Sequence, residues 1–187
     1  MLETPRLLLR PFTEDDAEHL FGLDGDPEVM RYVGPFQLAS VDAYRELIRE
    51  CFLPYYQHEG LGFWPAIEKA TGDFIGWFHL RPALDYRFAA EAGYREGDVD
   101  LGYRLVRAAW GKGIATEGAR ALVRKGLTEL DAACVVACAL EPNVASTRVM
   151  EKAGLKWVRR FAIPGYDMPA VVYALRREEF DAGGAPV

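Results

Sequence analysis

Arg107-Ala-Ala-Trp-Gly-Lys-Gly-Ile-Ala-Thr-Glu117 is the stretch on which the fold turns. A period-2 segment, Asp98 to Val106, runs into it, with Val99, Leu101, Tyr103 and Leu105 on one face. A segment of helical period leaves it, its apolar stripe formed by Ala115, Ala119, Leu122, Val123, Gly126, Leu127 and Leu130. Gly111 and Gly113 therefore stand where a strand becomes a helix. Glycine there lets the backbone approach a ligand closely, and successive N–H groups at a helix start attract anions. Phosphate or pyrophosphate fits that chemistry; a tight turn that binds nothing fits the same residues. The stretch is not a P-loop, since no Lys-Ser/Thr pair follows a longer glycine loop. It also lacks the third glycine of a dinucleotide fingerprint.

Upstream, Arg6 to Phe12 reads as a leucine-rich strand, followed by a helix capped by Thr13 and running to Gly22. Pro27 to Val33 reads as a second short helix, and Ser40 caps a longer one through Tyr44, Leu47, Ile48 and Cys51. Leu61 to Ala70 and Asp73 to Leu80 flank Thr71-Gly72-Asp73 as a hairpin. Arg81 to Gly97 has no clear period and reads as a long loop, of the kind that covers a site. Downstream, Ala133 to Leu140 is a continuous apolar run, as expected of a strand covered on both faces. A helix over Asn143 to Ala153 ends at Gly154, and Trp157 to Ile163 and Val171 to Arg177 make a closing pair of strands. The order implies one α/β domain over 1–180, a mixed sheet of about six or seven strands with helices on both faces. Residues 181–187 read as a flexible tail.

Composition narrows the function classes. The chain has 187 residues and a net charge of −6, with no Lys/Arg block. Binding nucleic acid through phosphates is therefore disfavoured. No apolar segment approaches the length that spans a bilayer, and the first residues, Met1 to Phe12, lack a signal peptide's features. Cys51, Cys134 and Cys138 form no CxxC pair, which favours a reducing compartment and a cytoplasmic location. His19, His58 and His79 show no metal-ligand spacing, so no metal site is expected. His79 reads as a structural histidine, and Trp64, Trp77, Tyr32 and Phe36 as core or pocket wall.

Trp110-Gly-Lys-Gly-Ile-Ala-Thr-Glu117 resembles the pyrophosphate-binding loop of the Gcn5-related N-acetyltransferase (GNAT) superfamily. Four further segments agree in order: Thr4-Pro-Arg-Leu-Leu-Leu-Arg-Pro11, Gly72-Asp-Phe-Ile-Gly-Trp77, Asn143-Val-Ala-Ser-Thr-Arg-Val-Met-Glu-Lys-Ala-Gly-Leu155 and Val172-Tyr-Ala-Leu-Arg176. The branch most resembled acetylates the N-termini of ribosomal proteins (the Rim type). The resemblance implies an acetyl-coenzyme A-dependent N-acetyltransferase working by direct transfer in a ternary complex. The acceptor is then a peptide N-terminus or a small amine such as a polyamine or aminoglycoside, with neither nucleic acid nor membrane as partner. The chain would act as a monomer or homodimer. A non-catalytic module that holds coenzyme A is the reading from another class.

By the same resemblance, Gly111, Gly113, Ile114 and Ala115 hold the pyrophosphate through backbone amides, and Lys112 adds a charge contact or is a solvated lysine. The strand edge at Leu105, Val106 and Arg107 pairs with the pantetheine arm, and an N–H of that strand polarises the thioester carbonyl. Asn143 caps its helix and contacts the same arm. Acetyl transfer needs a neutral amine, whereas free alkyl ammonium groups lose their proton only at about pH 8 to 10. Asp100 is the first candidate base; Asp98 and Asp100 share a face and also fit a solvated strand end. Glu141 is the other carboxylate to test. Much of the superfamily has a tyrosine as proton donor where this chain has Met150, so that role passes to Ser146.

Overall fold

The computed structural model describes residues 1–34, 37–58 and 60–183. Eight strands hydrogen-bond in the order β1-β2-β3-β4-β5-β6-β8-β7. They are β1 (Leu2–Glu3), β2 (Leu7–Leu9), β3 (Gly62–Glu68), β4 (Phe74–Pro82), β5 (Asp98–Leu105), β6 (Cys134–Leu140), β7 (Lys156–Ala162) and β8 (Pro169–Arg176). The helices are α1 (Ala17–Asp24), α2 (Pro27–Met30), α3 (Val41–Leu47), α4 (Ala89–Ala92), α5 (Ile114–Thr128), α6 (Val144–Lys152) and α7 (Arg177–Gly183). This is an α/β fold with a mixed sheet: β5 and β6 are parallel, while β6 and β7 each pair antiparallel with β8. A parallel pair needs a crossover, and α5 supplies it. Among the described residues no helix is long and apolar enough to cross a membrane.

The sheet has eight strands rather than six or seven because Leu2–Glu3 folds back on β2, pairing Leu2 with Leu9. Two residues are too few to show a period. Residues 81–97 also depart from the loop expected of them. β4 runs on to Pro82, Ala83–Asp85 makes a 3₁₀ turn, and α4 ends at Gly93 with φ 77°. At the C-terminus α7 carries helix through Gly183, so 181–183 are not tail; 184–187 lie outside the described residues, as does Phe36.

The chain divides into two compact units, Met1–His79 with Tyr103–Gly118, and Leu80–Gly102 with the chain from Ala119 onward. In the first, Phe12, Leu20, Leu23, Tyr44, Ile48, Phe52, Phe63 and Trp77 form the core, with the Phe52 and Phe63 rings stacked at 4.2 Å. His79 joins it as a buried ring against Trp77 and Phe63. Asp24 ends α1 buried, pairing with Arg104 of β5 and accepting from the Tyr44 hydroxyl at 2.9 Å. That ion pair ties the first helix to the strand leading into the glycine turn. In the second unit, α5 lies so close on β6 that a Cβ at Gly126 would sit 2.9 Å from Val135.

Asp16 shows how charge is held inside the first unit. Its carboxylate accepts both Arg10 guanidinium nitrogens, at 2.8 and 2.6 Å, and the Thr13 backbone N–H at 2.8 Å. Burial pushes its pKa up, but the bonds from Arg10 and Thr13 outweigh it and hold it below the usual value. A carboxylate lowered on folding stabilises above its unfolded pKa, and that stability fades as pH falls through the folded value. Asp16→Asn is therefore expected to cost about 2 kcal/mol at pH 7. Denaturant midpoints for wild type and variant should begin to converge below about pH 4 and meet once the pH has fallen through the lowered folded value; a gap that does not narrow over that range would mean the charge is not what matters.

Candidate active site

The glycine turn belongs to the first unit. β5 ends with Leu105 buried, and the extended Val106 donates its N–H to Ile75 O at 3.1 Å. A 3₁₀ turn, Arg107–Ala109, then reverses the chain, closed by N–H bonds from Ala109 to Val106 O and from Trp110 to Arg107 O. The Trp110 indole N–H folds back onto Leu105 O at 2.9 Å. The backbone at Leu105, Val106 and Arg107 is thus fixed by the protein itself. Arg107's side chain turns to Asp26, Nε to Oδ2 at 2.6 Å.

Gly111 (φ 72°) and Gly113 (φ 77°) adopt left-handed conformations and are exposed; nothing lies within 4 Å of where a Cβ on Gly111 would be. The first α5 bond runs from Glu117 N–H to Gly113 O at 3.0 Å. The earlier first-turn N–H groups, those of Ile114, Ala115 and Thr116, therefore have no intrahelical acceptor. Ile114 is buried and anchors the turn, while the Lys112 side chain is exposed. Open space, left-handed glycines and first-turn donors are the features an anion cradle requires.

Asp100 belongs to the second unit and is not solvated: it is 1% exposed. The Tyr86 hydroxyl donates to its Oδ2 at 3.0 Å, and the Arg81 guanidinium lies over the Tyr86 ring, 3.7 Å from its centroid. Burial, then the Asp100 charge, pushes Tyr86 well above the ordinary tyrosine value. Burial, followed by Asp100, pushes the Cys138 thiol up to about 12. Tyr94 is raised too, by burial first and then by Cys138 and Asp100. At neutral pH these three stay uncharged, leaving Arg81 as the cation beside the tyrosine that holds Asp100. Asp98 is also buried but accepts the Arg95 N–H at 2.8 Å, which closes the turn before β5. The solvated strand end is thus overturned for both carboxylates, because 81–97 folds over them instead of looping into water. Sequence reasoning missed Arg81, Tyr86 and Tyr94. Their signal was composition, two tyrosines and an arginine ahead of an acidic strand, without any period.

Asn143 caps α6, its Oδ1 accepting the Ser146 N–H at 3.2 Å. Ser146 is half-buried at the first turn of that helix, and Met150 is buried below it. Glu141 lies elsewhere: its Oε1 accepts from Arg160 Nε at 3.0 Å, and both side chains are about half exposed. An exposed pair of that kind contributes little. Among the described residues, no group of three or more His, Cys, Asp and Glu could hold a metal ion.

A mixed sheet whose parallel pair is joined by a helix opening on two left-handed glycines is the arrangement of the GNAT fold. Residues 6–156 match the acetyltransferase (GNAT) domain family, and the protein belongs to that family. It is 32% identical to the FsC-acetyl coenzyme A-N(2)-transacetylase of Aspergillus fumigatus, over 96% of this chain and 77% of that one. Its fold matches a solved spermidine N-acetyltransferase from Vibrio cholerae in complex with CoA and spermine. The TM-score is 0.72 at 16% identity, covering 94% of this chain and 98% of that one. An aminoglycoside acetyltransferase in complex with coenzyme A and kanamycin gives 0.72 at 21%, with 94% and 98% covered.

Proposed function

We propose that the protein transfers the acetyl group of acetyl-coenzyme A to a primary amine by direct attack in a ternary complex. The observation that carries this reading is the exposed, left-handed Gly111 and Gly113 at the start of α5. The register of β5 supports it. β5 pairs with β6 only from Asp98↔Cys134 to Asp100↔Val136, whereas β6 pairs with β8 as far as Leu140↔Ala170. Among the described residues no strand pairs with the β5-facing edge of β6 beyond Val136, and an extended arm can take that place.

In this reading the amides of Gly111, Gly113, Ile114 and Ala115 take the pyrophosphate, with Lys112 adding charge from solvent. The backbone of Leu105, Val106 and Arg107 takes the pantetheine arm, and the family resemblance gives the Asn143 side chain a contact to the same arm. Acetyl-coenzyme A supplies the activated acyl group. Asp100 accepts the ammonium proton at its carboxylate, steadied by Tyr86, and a strand N–H stabilises charge on the carbonyl oxygen. Ser146 passes its hydroxyl proton to the leaving sulfur and regains one from the amide nitrogen as it forms, while Asp100 releases the ammonium proton to solvent. Glu141, occupied by Arg160 at the surface, is the weaker candidate base.

A small cationic amine is the better-supported acceptor. The relative at 32% identity is named an acetyl coenzyme A-N(2)-transacetylase, and two fold neighbours are solved in complex with spermine and with kanamycin. A peptide N-terminus rests on the sequence resemblance alone. The free thiols of Cys51, Cys134 and Cys138 support a cytoplasmic setting. The test is coenzyme A release with two acceptor pools, one of short peptides with varied N-termini and one of polyamines and aminoglycosides. Turnover confined to the second pool is expected; turnover confined to peptides would reverse the acceptor, and binding without turnover on either would leave a coenzyme A-holding module.

A further inference from the structure

We propose that Arg6, on the segment before β2, is a positioning residue for the coenzyme cradle, acting through Glu117 and the Lys112 carbonyl. The inference rests on the functional reading above. Glu117 sits in the first turn of α5, where a carboxylate is attracted to the same N–H groups that an incoming phosphate needs. It is turned away from them. Its Oε1 accepts the Thr4 hydroxyl at 2.5 Å and the Arg6 backbone N–H at 2.8 Å, and its Oε2 accepts Arg6 Nε at 2.6 Å. Three donors from residues 4–6 thus hold the carboxylate off the helix start, and the guanidinium cancels its charge. Burial pushes the Glu117 pKa up, but the bonds from Thr4 and Arg6 outweigh this and hold it below the usual value, so the carboxylate stays ionised at neutral pH.

The same guanidinium has a second contact. Arg6 Nη1 donates to the Lys112 carbonyl at 2.8 Å, and Arg6 Nη2 lies 3.5 Å from where a Cβ on Gly113 would be. In a trans peptide the N–H points opposite to the carbonyl. Holding Lys112 O toward Arg6 therefore aims the Gly113 N–H to the other side of the loop, as an anion cradle requires. Gly113, left-handed and without a Cβ, bounds that peptide on one side and would otherwise let it rotate. One side chain so does two things: it removes a competing negative charge and sets the plane of the loop's central peptide.

The experiment compares wild type with Arg6→Met by calorimetric titration with coenzyme A, and by KM and kcat for acetyl-coenzyme A and for S-acetylpantetheine, which lacks the pyrophosphate. Kd and KM for the full coenzyme should rise roughly tenfold to a hundredfold, with kcat at saturation changed less than about threefold. KM for S-acetylpantetheine should move less than about twofold, because that ligand does not use the cradle. Arg6→Lys, which keeps a positive charge but loses the fork that reaches Glu117 and the Lys112 carbonyl together, serves if Arg6→Met fails to fold, with an expected three- to tenfold rise for coenzyme A alone. A wild-type Kd in the variant overturns the inference, and so does equal weakening toward both ligands, which is the mark of a merely structural role. No coenzyme A binding by the wild type overturns the functional reading itself.

Discussion

Asp100→Asn is expected to lower kcat by a factor of about 10² to 10⁴, the usual worth of a positioned general base. Asparagine keeps the size of the side chain and an oxygen to accept from Tyr86, so the fold around β5 should survive. What it loses is the capacity to take a proton from the attacking ammonium. Affinity for acetyl-coenzyme A should stay within about twofold, since Asp100 does not touch the coenzyme in this account. The pH profile gives a sharper reading. Without a base, turnover depends on the small fraction of amine already neutral, so the variant's rate should climb roughly tenfold per pH unit up to the pKa of the amine. Wild type should level off earlier. A variant within about threefold of wild type at pH 7 would make Asp100 a buried structural carboxylate and return the base to the remaining candidates.

The largest stability effect is expected at Gly76. Its φ of 134° lies where side chains are rarely found, and an added Cβ would sit 2.2 Å from Arg104 O and 2.7 Å from Leu105 Cα. Both obstacles are backbone, and both belong to β5 just before the glycine turn. Nothing there can swing aside, so the strands must separate or the sheet must bend. Gly76→Ala is expected to cost about 3 kcal/mol or more, which for a chain of this size lowers Tm by about 6 to 12 °C. Gly118→Ala is the comparison. Its Cβ would meet the Phe78 ring at 2.3 Å, but its helical φ is ordinary and a ring can shift. The smaller loss, about 1 to 3 kcal/mol, is expected there. Denaturant unfolding of the two variants decides it; Gly118→Ala costing more than Gly76→Ala would contradict this account of the β4–β5 approach.

Period and punctuation carried most of the fold. The alternation from Val99 to Leu105, the paired glycines and the α5 stripe together specify a strand, a turn and a helix, and the structure contains all three. The apolar run Ala133 to Leu140 could be read as a doubly covered strand for the same reason, since every position has to face something apolar. What stayed illegible has neither period nor length. β1 is two residues held by pairing with β2, and α4 is one turn held by its neighbours rather than by an apolar stripe. The site divides in the same way. The anion cradle is a local device and shows in eight consecutive residues. The Asp100 environment is assembled from Arg81, Tyr86, Tyr94 and Cys138, which no local pattern connects. Glu117 was visible only as a letter of the loop; its bonds to Thr4 and Arg6 span more than a hundred residues.

The most direct test of the account is a calorimetric titration of the folded protein with acetyl-coenzyme A, without acceptor. The cradle predicts one site per chain with a dissociation constant of about 1 µM to 1 mM, the range in which enzymes commonly hold their substrates. Binding should weaken on Gly113→Val, which puts a β-branched residue at a left-handed position of the loop and so distorts the backbone that presents the amides. No binding by wild type at millimolar ligand would contradict the account, however well the chain matches its family.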